Sequence, residues 1–260
     1  MFDLSNKTAL ITGGGGAIGQ HIAKTFIDNN IDQVMLVDVD EDSLKKATDE
    51  LGDKAHYHVA DVTNGNDVKA YVDAAKDKMG RIDVFCNNAG IEGVVQPVAN
   101  YPEDEFDKVM AVNVKGVFLG NKHIFPVMQE QGGGKVIVTS SVAGLKGQPM
   151  VAAYTTSKHA VIGLMKNMAL EGAAHGITCN SVHPAPVDNR MMRSLEGGFA
   201  DTNPDAGSGD EVKAGFEQMI PMGRYAENDD VANTFLFLAS DASNYMNGVQ
   251  LPIDGGMSAT

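Results

Sequence analysis

Short apolar runs alternate with longer amphipathic stretches along nearly the whole chain, and this rhythm limits the fold more than any single residue does. Residues 7–12, 33–37, 55–60, 82–86, 135–139, 177–182 and 248–253 each read as a buried strand. Helical patterns follow Gly19 and then cover 68–79, 106–128, 154–174 and 231–239. Strands separated by helices of ten or more residues form βαβ units with parallel strands and right-handed crossovers. The expected fold class is α/β, a doubly wound parallel sheet of about seven strands flanked by helices. A chain of 260 residues can bury one large core, and no linker marks a second unit, so 1–260 is read as a single domain.

The first strand runs into Gly13-Gly14-Gly15-Gly16-Ala17-Ile18-Gly19, and a helical pattern with Ile22, Ala23, Phe26 and Ile27 follows. Glycines admit positive φ and let a pyrophosphate approach the backbone. The helix behind them offers free N–H groups and the positive end of its dipole. A plain tight turn is the alternative, but four adjacent glycines carry an entropy cost that a turn alone does not require. The second strand ends at Asp38, nineteen residues past Gly19. A carboxylate there accepts hydrogen bonds from the hydroxyls of an adenosine ribose and repels a 2′-phosphate. Val39-Asp40-Glu41-Asp42 follows with no cation, so NAD is expected over NADP. Asp38 can also serve as a helix N-cap. The sheet is accordingly read as Rossmann-like and dinucleotide-binding.

Tyr154-Thr155-Thr156-Ser157-Lys158 places a tyrosine and a lysine one helical turn apart on the same face. A free tyrosine ionises near pH ~10, and an ammonium within about 4–6 Å lowers that value. Lys158 is therefore expected to acidify Tyr154. Ser141 follows the apolar run 135–140 and so sits at a strand's carboxyl end, the edge where open α/β sheets bind ligands. Taken alone, the Tyr–Lys spacing is also that of an ordinary exposed helix face.

Composition excludes several classes. A net charge of −14 disfavours nucleic acid and anionic membrane surfaces, which call for basic patches. The acidity lies on helix faces such as 38–53 and fits either solubility or a saline habitat. No run approaches the ~18 apolar residues of a membrane span, and the start has no signal-peptide pattern. Cys86 and Cys179 fall in strand-like runs, which suits small buried hydrophobes in a reducing cytoplasm. No metal site is expected, because no Cys/His cluster has ligand spacing.

After the sixth strand the rhythm breaks. His183-Pro184-Ala185-Pro186-Val187-Asp188 leads into a stretch rich in Met, Gly, Asp and Asn. Residues 185–222 are expected to be a long loop over a substrate. The expected pocket combines Val142, Ala143, Leu145, Gln148, Ala153 and Glu92 with the segment 187–199, where Met191 and Met192 supply adaptable apolar surface. Arg190 and Arg193 are the cations to which a carboxylate-bearing substrate would turn.

Taken together, these residues resemble the short-chain dehydrogenases/reductases over nearly the whole chain. The resemblance rests on Thr12-Gly13-x-x-x-Ala17-Ile18-Gly19, Asn87-Asn88-Ala89-Gly90, Asn113, Ser141, Tyr154-x-x-x-Lys158 and the Pro184 segment, in the family's order and spacing. It implies a catalytic set of Asn113, Ser141, Tyr154 and Lys158, with Asn113 holding a water that links Lys158 to solvent. It implies cofactor contacts from Gly13, Gly16, Ala17, Ile18, Gly19, Asp38 and Val39, and from Asp61 and Val62 beside the adenine. Asn88, Ala89, Gly90, Tyr154, Lys158, Pro184, Val187 and Asn189 complete that set. Ala17 stands where many members have glycine. Pro184-Ala185-Pro186-Val187-Asp188-Asn189 stands for the usual Pro-Gly-x-Val-x-Thr, so Pro186 stiffens the segment and Asn189 replaces a threonine. The stretches at Asn88–Gly93 and Pro252–Gly256 look like those of members acting on cyclic ketones and alcohols. The resemblance further implies a homotetramer in which helices 106–128 and 154–174 pair across one axis.

The expected activity is hydride transfer between NAD and a secondary alcohol or ketone, cyclic or otherwise apolar. Tyr154 would act as general acid/base, and Ser141 would donate to the substrate oxygen. The alternatives are a reductase of sugars or acyl-thioesters on the same fold, and a non-catalytic NAD-binding protein. The intact Ser–Tyr–Lys set counts against the last.

Overall fold

A computed structural model of the protein describes residues 2–202, 205 and 207–259. In chain order the elements are β1 (Thr8–Thr12), α1 (Ala17–Asp28), β2 (Gln33–Asp38), α2 (Glu41–Leu51), β3 (Ala55–Val59), α3 (Gly65–Met79) and β4 (Val84–Asn87). Then come α4 (Glu103–Met110), α5 (Val117–Glu130), β5 (Gly134–Thr139), α6 (Ala152–Ala173) and β6 (Ile177–Pro184). The chain closes with α7 (Arg190–Thr202), α8 (Gly209–Gln218), α9 (Asn228–Ala239) and β7 (Gln250–Ile253). The seven strands lie in the order β3-β2-β1-β4-β5-β6-β7 and every pairing is parallel, as the α/β rhythm requires. The direction of winding reverses between β1 and β4.

The five inner strands are buried on both faces, which is why they read as continuous apolar runs, while the edge strands β3 and β7 are partly exposed. Alternate residues feed two separate cores. Ile11, Leu36, Cys86, Ile137 and Val182 face α1 and α9, where Ile22, Phe26, Val231 and Phe235 pack. Leu10, Val37, Phe85, Val136 and Cys179 face α3, α5 and α6, where Tyr71, Ile124, Val161 and Met165 pack. Both cysteines are buried and free.

Two expected elements change. The helix anticipated over 106–128 is α4 and α5 joined by a π turn, Ala111–Gly116. The widened turn carries Asn113 inward, where its amide binds main chain instead of continuing an exposed helix face. The loop anticipated over 185–222 contains α7 and α8. Ser208 and Glu211 form a reciprocal capping box at the start of α8. Phe216, Ile220 and Tyr225 then join Val142, Ala185 and Met257 in a third small core, with Met192 and Phe199 against it.

Candidate active site

The carboxyl ends of β1, β4, β5 and β6 open onto one cleft of about 440 Å³, beside the point where strand order reverses. The glycine turn forms one end. Gly13 takes φ +67°, and a Cβ on Gly19 would stand 2.2 Å from the Gly13 carbonyl oxygen, so only glycine allows this closure. A Cβ on Gly16 would meet only that carbonyl, at 3.4 Å, and otherwise open space. No side chain caps the N-terminus of α1. Room and helix N–H groups are thus both present for a phosphate. Asp38 completes the cradle: Oδ2 accepts from the Gly15 N–H at 3.0 Å, and Oδ1 from the Val39 and Asp40 N–H groups at 2.8 and 3.3 Å. The N-cap of α2 is Asp40, not Asp38. Asp38 is left to fix the turn and present its carboxylate to the cleft, a fit to a ribose diol rather than a phosphate.

Every residue expected to touch the cofactor lines this cleft: Ala17, Ile18, Val39, Asp61, Val62, Asn88, Ala89, Gly90, Tyr154, Lys158, Pro184, Val187 and Asn189, with the turn glycines and Asp38. Asn88 also ties three strand ends together. Its Nδ2 donates to the Thr12 carbonyl at 3.1 Å and its Oδ1 accepts from Thr139 Oγ1 at 2.9 Å. Thr12 Oγ1 accepts from the N–H groups of Asn88 and Ala89 at 3.0 and 3.1 Å.

Beyond the glycine turn, Ser141, Tyr154 and Lys158 meet at the end of β5. Ser141 starts a short 3₁₀ turn, Val142–Gly144. Tyr154 lies in the first turn of α6, half-buried, and hydrogen-bonds the Ser141 side chain. Just upstream, Met150 takes the unusual φ of +69°, and its carbonyl accepts from the Gln96 N–H at 2.8 Å, which fixes the entry into α6. Lys158 is buried, donates to the Thr139 carbonyl at 2.9 Å, and lies 5.5 Å from the centre of the Tyr154 ring. Burial dominates both groups. It pushes the Tyr154 phenol up to about 12, opposed by the Ser141 hydrogen bond and assisted by the Glu92 charge. It pushes Lys158 down to about 8. Desolvation, not the Lys158 charge, thus sets the direction of the Tyr154 shift in the protein alone, opposite to the acidification expected from the Tyr–Lys spacing.

Asn113 is buried beside this group, not in the cleft lining. Its Oδ1 accepts from the Ile91 N–H at 2.8 Å, and its Nδ2 donates to the Ile91 carbonyl at 2.9 Å and to Ser157 Oγ at 3.0 Å. Ser157 Oγ in turn donates to the Tyr154 carbonyl at 2.7 Å. The Asn113 amide thus braces Ile91 against α6, with both Nδ2 hydrogens used and one lone pair of Oδ1 remaining.

A family model described as enoyl-(acyl carrier protein) reductase matches residues 15–258. The chain belongs to the short-chain dehydrogenase/reductase family. It is 37% identical over 260 residues to levodione reductase of Leifsonia aquatica, covering 98% of this chain and 95% of that one. The crystal structure of levodione reductase superposes with a TM-score of 0.94 at 35% identity, covering 99% of each chain. The crystal structure of NAD⁺-bound xylitol dehydrogenase gives 0.93 at 34% identity, covering 97% of this chain and 99% of that one.

Within this short-chain dehydrogenase/reductase the half of the cleft beyond Tyr154 is apolar. Val142, Gln148, Met191, Met192, Leu195 and Phe199 line it, with Phe216 behind. Glu92 does not line it, contrary to expectation, and neither do Leu145 and Ala153. Ala153 is fully buried, and Glu92 is buried too and acts on Tyr154 through its charge. Arg193 is also withdrawn from any substrate. Its guanidinium pairs with Asp188 and forks onto Glu196 at 3.1 and 2.8 Å. Arg190 lines the cleft mouth. Asn189 has a local reason to replace threonine, since its Oδ1 accepts from the Met192 N–H at 3.3 Å where α7 begins. Sequence reading gave no role of their own to Thr12, Thr139, Ile91 and His183. Thr12 directly precedes the glycine turn and offered a cue. The roles of the other three follow from strand ends that only the fold brings together.

Proposed function

We propose that this protein is an NAD-dependent dehydrogenase acting on a neutral, apolar secondary alcohol, or in reverse a ketone reductase. The observation that carries the reading is the convergence of Ser141, Tyr154 and Lys158 between a glycine cradle closed by Asp38 and an apolar recess. NAD, when bound, supplies or accepts the hydride. The residues of the chain do the rest. The Asp38 carboxylate receives ribose hydroxyls, and the α1 N-terminus faces the phosphates. Ser141 donates to the substrate oxygen, where negative charge gathers. Tyr154 takes the alcohol proton in oxidation and returns it in reduction. Lys158 holds positive charge beneath the tyrosine, anchored by Thr139. The Met191, Met192 and Phe199 surface excludes water and selects a compact, uncharged and often cyclic carbon skeleton.

The quaternary and cellular parts of the reading rest on smaller observations. Phe118 on α5 and Leu170 on α6 are exposed apolar residues on the two helices expected to pair in a homotetramer. The free buried cysteines suit the cytoplasm. No helix among the described residues is long and apolar enough to cross a membrane.

A spectrophotometric panel of cyclic, aryl and aliphatic secondary alcohols, with NAD and NADP side by side, tests the proposal. Turnover with NAD on cyclic or aryl alcohols is expected. Turnover confined to sugars or acyl-thioesters would replace the substrate class, and bound NAD with no turnover would replace the enzyme reading altogether.

A further inference from the structure

His183 lies on β6 with none of its surface exposed, and its two ring nitrogens face two serines. Nδ1 is 3.0 Å from the Ser141 carbonyl oxygen, and Nε2 is 2.8 Å from Ser181 Oγ. A carbonyl can only accept, so Nδ1 carries the proton, and the bare Nε2 accepts from the Ser181 hydroxyl. Both ring nitrogens are thereby committed.

The sheet explains why a side chain is needed at this point. β5 and β6 pair from Gly134 opposite Ile177 to Thr139 opposite Val182. The last main-chain bond between them runs from the Ser140 N–H to the Val182 carbonyl at 2.8 Å. β5 then turns away at Ser141, while β6 continues alongside β7 with His183 opposite Pro252. Within the turn, the Ser141 carbonyl accepts from the Gly144 N–H at 2.8 Å and its Oγ accepts from the Ala143 N–H at 3.2 Å, while the same side chain bonds Tyr154 on α6. The bonds within the turn travel with it wherever it goes and do not hold it to the sheet. The imidazole of His183 carries the strand ladder one step further and fastens the turn to the sheet.

We propose that His183 is a positioning residue that holds the Ser141 peptide against β6, and so aims the Ser141 hydroxyl at Tyr154 and the reacting oxygen. The proposal rests on the catalytic reading of Ser141 given above. His183 touches neither substrate nor cofactor and does not line the cleft.

Two substitutions separate the two ends of the ring. The amide nitrogen of His183→Asn falls near the place of Nδ1 and can still donate to the Ser141 carbonyl. That of His183→Gln falls near Nε2, reaches Ser181 and leaves Ser141 untied, although glutamine is closer to histidine in size. His183→Asn is expected to keep kcat within about threefold, while His183→Gln loses roughly 10- to 100-fold, with KM for NAD unchanged in both. Hydrogen exchange at the Ser140 N–H, the last rung between β5 and β6, is expected to quicken at least about tenfold in His183→Gln only. A space-filling role predicts the reverse order of activity, and that order, or equal values for the two variants, would overturn the proposal. Nitrogen-15 spectra of the unaltered protein are expected to show the Nδ1–H tautomer; the Nε2–H form would also overturn it. Should the unaltered protein turn over no alcohol or ketone, the proposed activity falls, while the tautomer and the exchange rates still decide the role of His183.

Discussion

The Lys158 ammonium donates a hydrogen bond to the carbonyl of Thr139 at 2.9 Å, which fastens the first turns of α6 to the end of β5. A lysine held this way is a fixed, buried charge, with little freedom to follow the phenol above it.

Proton transfer through Tyr154 should show in the pH dependence of turnover. Burial raises the phenol to about 12 and lowers Lys158 to about 8. Oxidation needs Tyr154 as a base, so kcat/KM for an alcohol with NAD is expected to keep rising with pH toward about 12, the value of the buried phenol. Ketone reduction needs the acid form and is expected to fall over the same range. Tyr154→Phe is expected to lose roughly 10²–10⁴-fold in kcat in both directions, with NAD affinity by fluorescence titration unchanged. Near-full turnover in that variant would remove Tyr154 from the reaction.

Asp38 accepts three backbone N–H groups, from Gly15, Val39 and Asp40, so its carboxylate is fixed before any cofactor arrives. A preorganised acceptor strengthens bonds to a ribose diol and opposes a 2′-phosphate. Asp38→Ala is expected to weaken NAD binding roughly 10- to 100-fold, the worth of hydrogen bonds to a charged group. Affinity for NADP should change far less, because Asp40, Glu41 and Asp42 still surround the site. Calorimetry with both cofactors reads this directly, and an equal loss for the two would mean that Asp38 serves only the turn.

These two sites differ in how far sequence reveals them. Asp38 was legible because a glycine turn, a helix and a strand fix its distance from Gly19, and the local spacing survives folding. The inner sheet was legible for the same reason: two-sided burial makes each of its five inner strands a plain apolar run. The state of Tyr154 was not, since the burial that raises its pKa comes from segments distant in the chain. Nor was the π turn around Asn113, which inserts its extra width without disturbing the apolar periodicity of 106–128. Helices α7 and α8 were obscured by their Gly, Met and Asp content. Ser208 and Glu211, three positions apart, were the readable cue of a capping box.

The elements that cover the apolar recess are held by charge. Arg193 on α7 joins Asp188, which leads into that helix, to the buried carboxylate of Glu196, and Lys213 on α8 reaches Asp188 at 3.2 Å. Arg193→Met would leave Glu196 buried without its cation. Since Arg193 is itself partly exposed, the expected loss is about 2–3 kcal/mol, at the lower end for a broken buried pair. KM for the alcohol should rise several-fold while KM for NAD holds, because the glycine cradle lies at the other end of the cleft. A fall in NAD affinity equal to that for substrate would show that α7 and α8 do not act as a separate cover.

His183 makes the fold sensitive to acid. Burial lowers it from 6.5 to about 4; the hydrogen bond to Ser141 works the other way, and the charges of Lys158 and His159 add to the lowering. The folded protein therefore keeps the ring neutral where the unfolded chain protonates it. With the folded value below the unfolded one, this stabilisation is complete above about pH 6.5 and drains away as pH falls toward about 4. A tenfold difference in proton affinity between the two states is worth about 1.4 kcal/mol, which puts about 2–3 kcal/mol at stake across that interval. Urea unfolding near neutrality and again near the lower end of the window measures it. His183→Asn cannot take up the proton, so its loss of stability between the two conditions is expected to be smaller than that of the unaltered protein by about 2–3 kcal/mol. Equal losses would mean that His183 is protonated in the folded state, and the Nδ1–H bond to Ser141 would then have to coexist with a charged, desolvated ring.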